Sequence, residues 1–191
     1  MKIKAKEVVF MPNIRENIRV MKDLSELIVD LAYSALFLHE PKIAEEVESL
    51  YDQIKLLEKE TLKLLFRIKG SEEERIYIIE LIDEIRDIAG CARRISYLSK
   101  GKVVPSIIKE ILKETDERII LQTISARSSL AGKKIGEAEV KKHTRAHIIA
   151  IKRKGRWIFK VSRETRILPG DLLVAVGSKF AEEPLKRAAT S

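Results

Sequence analysis

A single cysteine, Cys91, stands among 191 residues. One thiol excludes an internal disulfide and a thiolate metal cage, and it fits a cytosolic compartment. Three histidines leave most catalytic constellations without enough members. The glycine patterns that cradle phosphates are missing. No GxGxxG follows a strand-like run and no GxxxxGK[ST] occurs. HExxH, CxxC and GxSxG are absent as well. A dinucleotide fold, a P-loop and the commoner hydrolases are thereby excluded, and the chain is expected not to be an enzyme. No apolar run reaches the length that crosses a bilayer, and Met1–Lys6 lacks the apolar stretch of a secretion signal. A cytoplasmic location is the expectation, peripheral at the inner membrane face where a membrane partner holds it there. Asn and Gln are scarce, while Lys, Arg and Glu are abundant. That balance points to a hyperthermophile.

What is present is globular: 45% hydrophobic and 35% charged residues. The formal charge of +8 is unevenly spread. Residues 1–115 carry net −1 and residues 116–191 net +9, a neutral half followed by a basic half.

The neutral half has helical periodicity. Asn13 and Glu16 have capping-box spacing after Pro12. Ile14, Ile18, Met21, Leu24, Ile28 and Leu31 then recur at i+3 and i+4. Pro41 suits the first turn of a second helix, whose stripe runs from Ile43 to Ile68 before Gly70. Ser71 with Glu72–Glu74 caps a third helix that ends near Gly101, and Pro105 opens a shorter fourth to about Glu114. Long helices with tight connections pack antiparallel, so an up-down bundle is expected over 1–115.

The basic half changes period. Residues 117–125, 146–152, 156–161 and 172–176 read as strands, with a hairpin signal at Lys154-Gly155 and a turn at Leu168–Asp171. Residues 134–142 suit a short helix, and Ser178 is placed to cap a last one. The fold class is therefore α+β: an antiparallel helical bundle, then a small α/β domain with a mixed sheet over 116–191.

The stretches Asp23–Leu36, Ala44–Ile54 and Leu81–Ile95 make the first half similar to one three-helix repeat of the PhoU family. The resemblance implies divalent metal held by acidic residues four apart, a spacing matched by Glu48 with Asp52 and by Asp83 with Asp87. At that spacing two carboxylates share a helix face, as a hard cation requires. The alternative is a solvated face, since these acids lie off the apolar stripes and Arg86 intervenes.

Residues 128–133 (SSLAGK), 148–153 (IIAIKR) and 167–177 (ILPGDLLVAVG) make the second half resemble the C-terminal domain of potassium channel and transporter regulators, TrkA-C or RCK-C. The resemblance implies a homodimer with a regulatory ligand site near its interface. The segment at Lys141, Lys142, His143 and Arg145 sits where some such domains hold a cyclic dinucleotide. A small anionic ligand would pair there with phosphate-binding side chains. Family members often have Gly where Arg145 stands, so the long side chain is expected to alter or close the pocket. A basic surface for an acidic partner protein is the alternative. Trp157 reads as a core or interface anchor, Glu58 as near the bundle edge or paired with a cation, and His147 as structural.

The two resemblances converge on a regulatory or sensor protein for a membrane potassium channel or another cation transporter. Two further readings stand beside it: nucleic-acid binding by the basic half, and a PhoU-type regulator of phosphate uptake. Nucleic acid is not expected, because the strands lack interleaved exposed aromatics.

Overall fold

The structure is a computed structural model that describes residues 14–67, 71–101 and 103–191. The expected cap at Asn13 and the expected stop at Ile68–Gly70 lie outside the described residues. Three long helices, α1 (Ile14–Leu38), α2 (Pro41–Leu65) and α3 (Glu72–Tyr97), pack side by side, each against the other two. Pro41 opens α2 where its missing N–H would have had no partner. The Ser71 hydroxyl accepts from the Glu74 N–H at 3.1 Å, capping α3 as its sequence predicts.

The bundle core is the expected stripe: Met21, Ile28 and Leu31 from α1, Ile43, Val47 and Ile54 from α2, Ile82 and Ala89 from α3. Buried Asn17 donates to the Thr61 hydroxyl at 3.0 Å, and Thr61 donates on to the Leu57 carbonyl. This polar bridge inside an apolar core fixes how α1 sits along α2, because sliding either helix would strand the buried Asn17 amide. His39 has a left-handed backbone (φ 51°), and its ring contacts the Gly101 carbonyl at 2.8 Å, tying the α1–α2 corner to the end of α3.

A short helix, α4 (Ser106–Glu114), leads into β1 (Glu117–Thr123). Two short helices, α5 (Ile135–Ala138) and α6 (Val140–Thr144), replace the single helix expected over 134–142. The break is Glu139, whose φ of 44° no helix continues through. Next come β2 (Ala146–Arg153), β3 (Arg156–Ile158), β4 (Leu172–Ser178) and α7 (Glu182–Thr190). Lys154 and Gly155 both have positive φ, as a two-residue hairpin turn between β2 and β3 demands. Ser178 ends β4 and caps nothing; α7 begins after Ala181 without a side-chain cap.

The sheet order is β1-β4-β2-β3 and every neighbouring pair is antiparallel. The expected mixed sheet is therefore corrected. The helical crossover does make β1 and β2 run the same way, but β4 inserts between them and is antiparallel to both.

Both faces of this sheet are covered. One carries Ile120, Ile148, Ile151, Leu173 and Ala175 against α7 and the α5–α6 turn. The other carries Ile149, Ala150, Val174 and Val176, which join the apolar cluster of the helical bundle. A bulge between Ile148 and Ala150 lets the consecutive Ile149 and Ala150 serve the same face. Trp157 stacks on Phe159 at 5.6 Å, and both pack on the bundle side of the sheet. Lys152 lies over the Trp157 ring and pairs with Glu40 at 3.1 Å, linking β2 to the start of α2. The anchor role of Trp157 is thus intramolecular.

Candidate functional site

The basic half holds its own buried ion pair. Asp171 is fully buried and takes two hydrogen bonds of 2.8 Å from the Arg153 guanidinium and one from the Leu168 N–H. Gly170 (φ 83°) makes the turn that aims this carboxylate inward. Arg153 also donates to the Arg166 carbonyl. The loop that follows β3 is thereby pinned beneath the sheet.

The same loop forms one wall of a cavity. Gly136 donates its N–H to the Arg163 carbonyl and Ile135 donates to the Thr165 carbonyl, so the free donors at the start of α5 hold the loop. A Cβ on Gly136 would stand 3.0–3.2 Å from three atoms of Arg163. Glycine is what allows the loop this close. Between loop, α5–α6 and the start of β2 lies a cavity of about 500 Å³. Ile135, Val140 and Ile148 give it apolar walls, while Lys141, Lys142, His147 and Arg163 bring basic groups to it. Lys142 is already engaged, 3.0 Å from Glu139, whose carboxyl is held below the usual range by that contact. Lys141 and Arg163 have no ion-pair partner of their own among the described residues. Partial desolvation, with Lys141 nearby, holds the His147 imidazole below its usual pKa.

The four expected ligand residues are thus split. Lys141 and Lys142 line the cavity. His143 does not: its ring contacts the Ala138 carbonyl at 3.4 Å and approaches Glu139. Arg145 has a positive φ of 61°, a conformation that glycine adopts freely. Its side chain lines a second cleft of about 640 Å³ between the bundle and the sheet domain, shared with Lys22, Glu26 and Ile88. Arg145 is not among the residues that line the first cavity. Lys141 and His147 line both cavities. Sequence reasoning missed Arg163 and Ser162, which come from a loop about 20 residues downstream. No local motif marks them, and only the Gly136 contact brings them in.

The acidic pairs of the bundle do not converge on a metal. Glu48 pairs with Arg93 at 2.8 Å and Asp52 with Lys55 at 2.8 Å. Asp83 and Asp87 both pair with Arg86, which also holds Glu58 at 2.6 Å, the cation partner expected for that residue. Arg86 stands where a cation would have to sit. Among the described residues no group of three or more His, Cys, Asp or Glu is placed to hold a metal ion.

One acid differs. Asp30, at the seam between α1 and β1, is pushed up to about 6 by burial and by the neighbouring charges of Glu117 and Glu26. It lines the cleft that holds Arg145 and a smaller one of about 370 Å³ beside Tyr33 and Arg118.

Residues 18–100 match the PhoU domain and residues 121–183 the TrkA-C domain. No curated protein matches the chain. Among solved structures, the RCK_C domain dimer of Streptococcus agalactiae (S. agalactiae) BusR in complex with c-di-AMP is 30% identical. The match covers 37% of this chain and 92% of that one, with a TM-score of 0.35. S. agalactiae BusR in complex with its busA-promotor DNA is 22% identical over 67% of this chain and 77% of that one, again at 0.35. A further BusR complex, with busAB-promotor DNA, is 18% identical over 90% and 94%, also at 0.35. Among the described residues no helix is long and apolar enough to cross a membrane. The TrkA-C match supports a ligand-sensing regulatory role.

Proposed function

We propose that this chain, a PhoU domain followed by a TrkA-C domain, is a cytoplasmic, non-enzymatic, homodimeric regulator of a membrane potassium channel or other cation transporter, switched by a small anionic ligand. The observation that carries the ligand is the cavity beside α5 and α6. Its apolar walls suit a flat base, and Lys141 and Arg163, uncommitted to any acid, suit phosphate. A cyclic dinucleotide has both parts, and its two-fold symmetry would let it contact both copies of a dimer equally. Lys142 contributes only by leaving Glu139, and His147 serves as a hydrogen-bonding neighbour of the phosphate.

Calorimetry tests the reading. Cyclic di-AMP is expected to bind at one site per dimer, and Lys141→Ala and Arg163→Ala each to weaken binding about tenfold, the usual scale of one charge-assisted contact. No heat and no thermal shift across a panel of nucleotides would overturn it. The net +9 of residues 116–191 favours nucleic acid as the second reading. Duplex DNA affinity falling steeply with salt would support that instead.

A further inference from the structure

Helix α3 carries two heptad seams, one residue apart. The first, Ile78, Ile82, Ile85, Ala89, Ala92 and Ser96, advances by four and three and faces the bundle, where all but the partly buried Ile78 are buried. The second begins one position earlier, at Tyr77, and advances by the same steps through Leu81, Glu84, Ile88, Cys91 and Ile95 to Leu98, in the 3-10 turn just past the helix. Tyr77, Leu81, Ile88 and Leu98 are between 49% and 73% exposed, while Ile95 is partly buried on the bundle and Ile88 borders the cleft that holds Arg145. A seam of three heptads, roughly 32 Å long, is the pattern by which a helix recognises another helix.

We infer that a second copy of this chain occupies that seam, its α3 running antiparallel across a two-fold axis at Ile88. The pattern is self-complementary about that residue. Leu81 falls opposite the partner's Ile95 and Ile88 meets its own copy, while Tyr77 comes within one residue of the partner's Leu98 and Glu84 within one residue of the partner's Cys91. Charge selects the same direction. Residues 72–87 carry net −5 and residues 88–101 net +3. An antiparallel pair therefore sets each acidic half beside a basic half, and a parallel pair would set like against like. Arg94, 3.1 Å from the Cys91 sulfur, stands at the position where the partner's Glu84 would arrive.

The inference rests on the homodimer reading and names its surface. Light scattering of the full chain is expected to give a dimer or a larger even assembly, and Leu81→Glu with Ile88→Glu to halve that mass. A second arm tests register. Glu84 and Cys91 are two turns apart on one helix, roughly 10 Å, too far for a bond within one chain. Glu84→Cys is therefore expected to give, on oxidation, a covalent dimer that Cys91→Ala abolishes. A covalent dimer persisting without Cys91, or none forming, would overturn the antiparallel seam. An unchanged mass in the folded double variant would overturn it while leaving the homodimer intact. A monomeric wild type would overturn both. Should the double variant unfold, the cross-link decides alone.

Discussion

The two halves of the molecule spend the same side chains differently. In the helical bundle cations meet anions: Arg86 holds Glu58, Asp83 and Asp87, and Arg93 holds Glu48 while lying over the Tyr51 ring. In the sheet domain Arg153 is held on buried Asp171, and Lys141, Lys142 and Arg163 line a cavity. Net charge alone would describe the first half as inert and the second as sticky. The difference lies in pairing. Arginines seven apart on α3 reach acids on the neighbouring helix, whereas the acids beside Lys141 and Arg163, Glu139 and Glu164, make their contacts with Lys142 and Lys134.

That contrast can be broken most severely at the buried pair. Arg153→Met should leave Asp171 charged, buried and without its guanidinium, and should destabilise the sheet domain by about 3 kcal/mol. Urea unfolding followed by circular dichroism reads the loss, and an unchanged midpoint would show that the pair is dispensable. In the bundle the corresponding change should be mild. Arg93→Ala removes a half-exposed pair with Glu48 and should cost about 0.5–1 kcal/mol. It should leave ligand affinity unmoved, in contrast to Arg163→Ala.

Asp30 sharpens the comparison at the seam where the halves meet. Its folded pKa of about 6 lies above the ordinary 3.8, so the native state favours its protonated form. For this group the favourable contribution is complete below about pH 4 and is lost as pH rises through 6. Asp30→Asn should therefore match the wild type in acid and become more stable above pH 6, by about 1 kcal/mol after allowance for partial solvation. Melting temperatures of both proteins at pH 4 and pH 7.5 check this; an equal gap at the two values would exclude Asp30 as its source.

Much of this fold was legible beforehand. The apolar stripes and stops fixed α1, α2 and α3, because a helix of 25 residues repeats its signal seven times. The hairpin at Lys154-Gly155 was legible because two consecutive left-handed residues have few alternatives. The break at Glu139 was not, since glutamate ordinarily continues a helix and its left-handed backbone is imposed by packing on either side. Half of the candidate site was equally hidden. Lys141 and Lys142 were found as a local cluster of charge, but His143 and Arg145 were grouped with them by adjacency alone, and the chain turns both away from the cavity.

By itself, then, the sequence determined what depends on neighbours within a few residues: the three long helices and the Ser71 cap, the strand segments, the uneven charge and the absence of the common catalytic and phosphate-binding motifs. The tertiary structure decided what depends on distant segments meeting. It placed β4 between β1 and β2, turned Trp157 toward the bundle, neutralised the four acids read as metal ligands, and brought Arg163 to Gly136. Periodicity records which face of an element is apolar, and it carries no record of which partner covers that face.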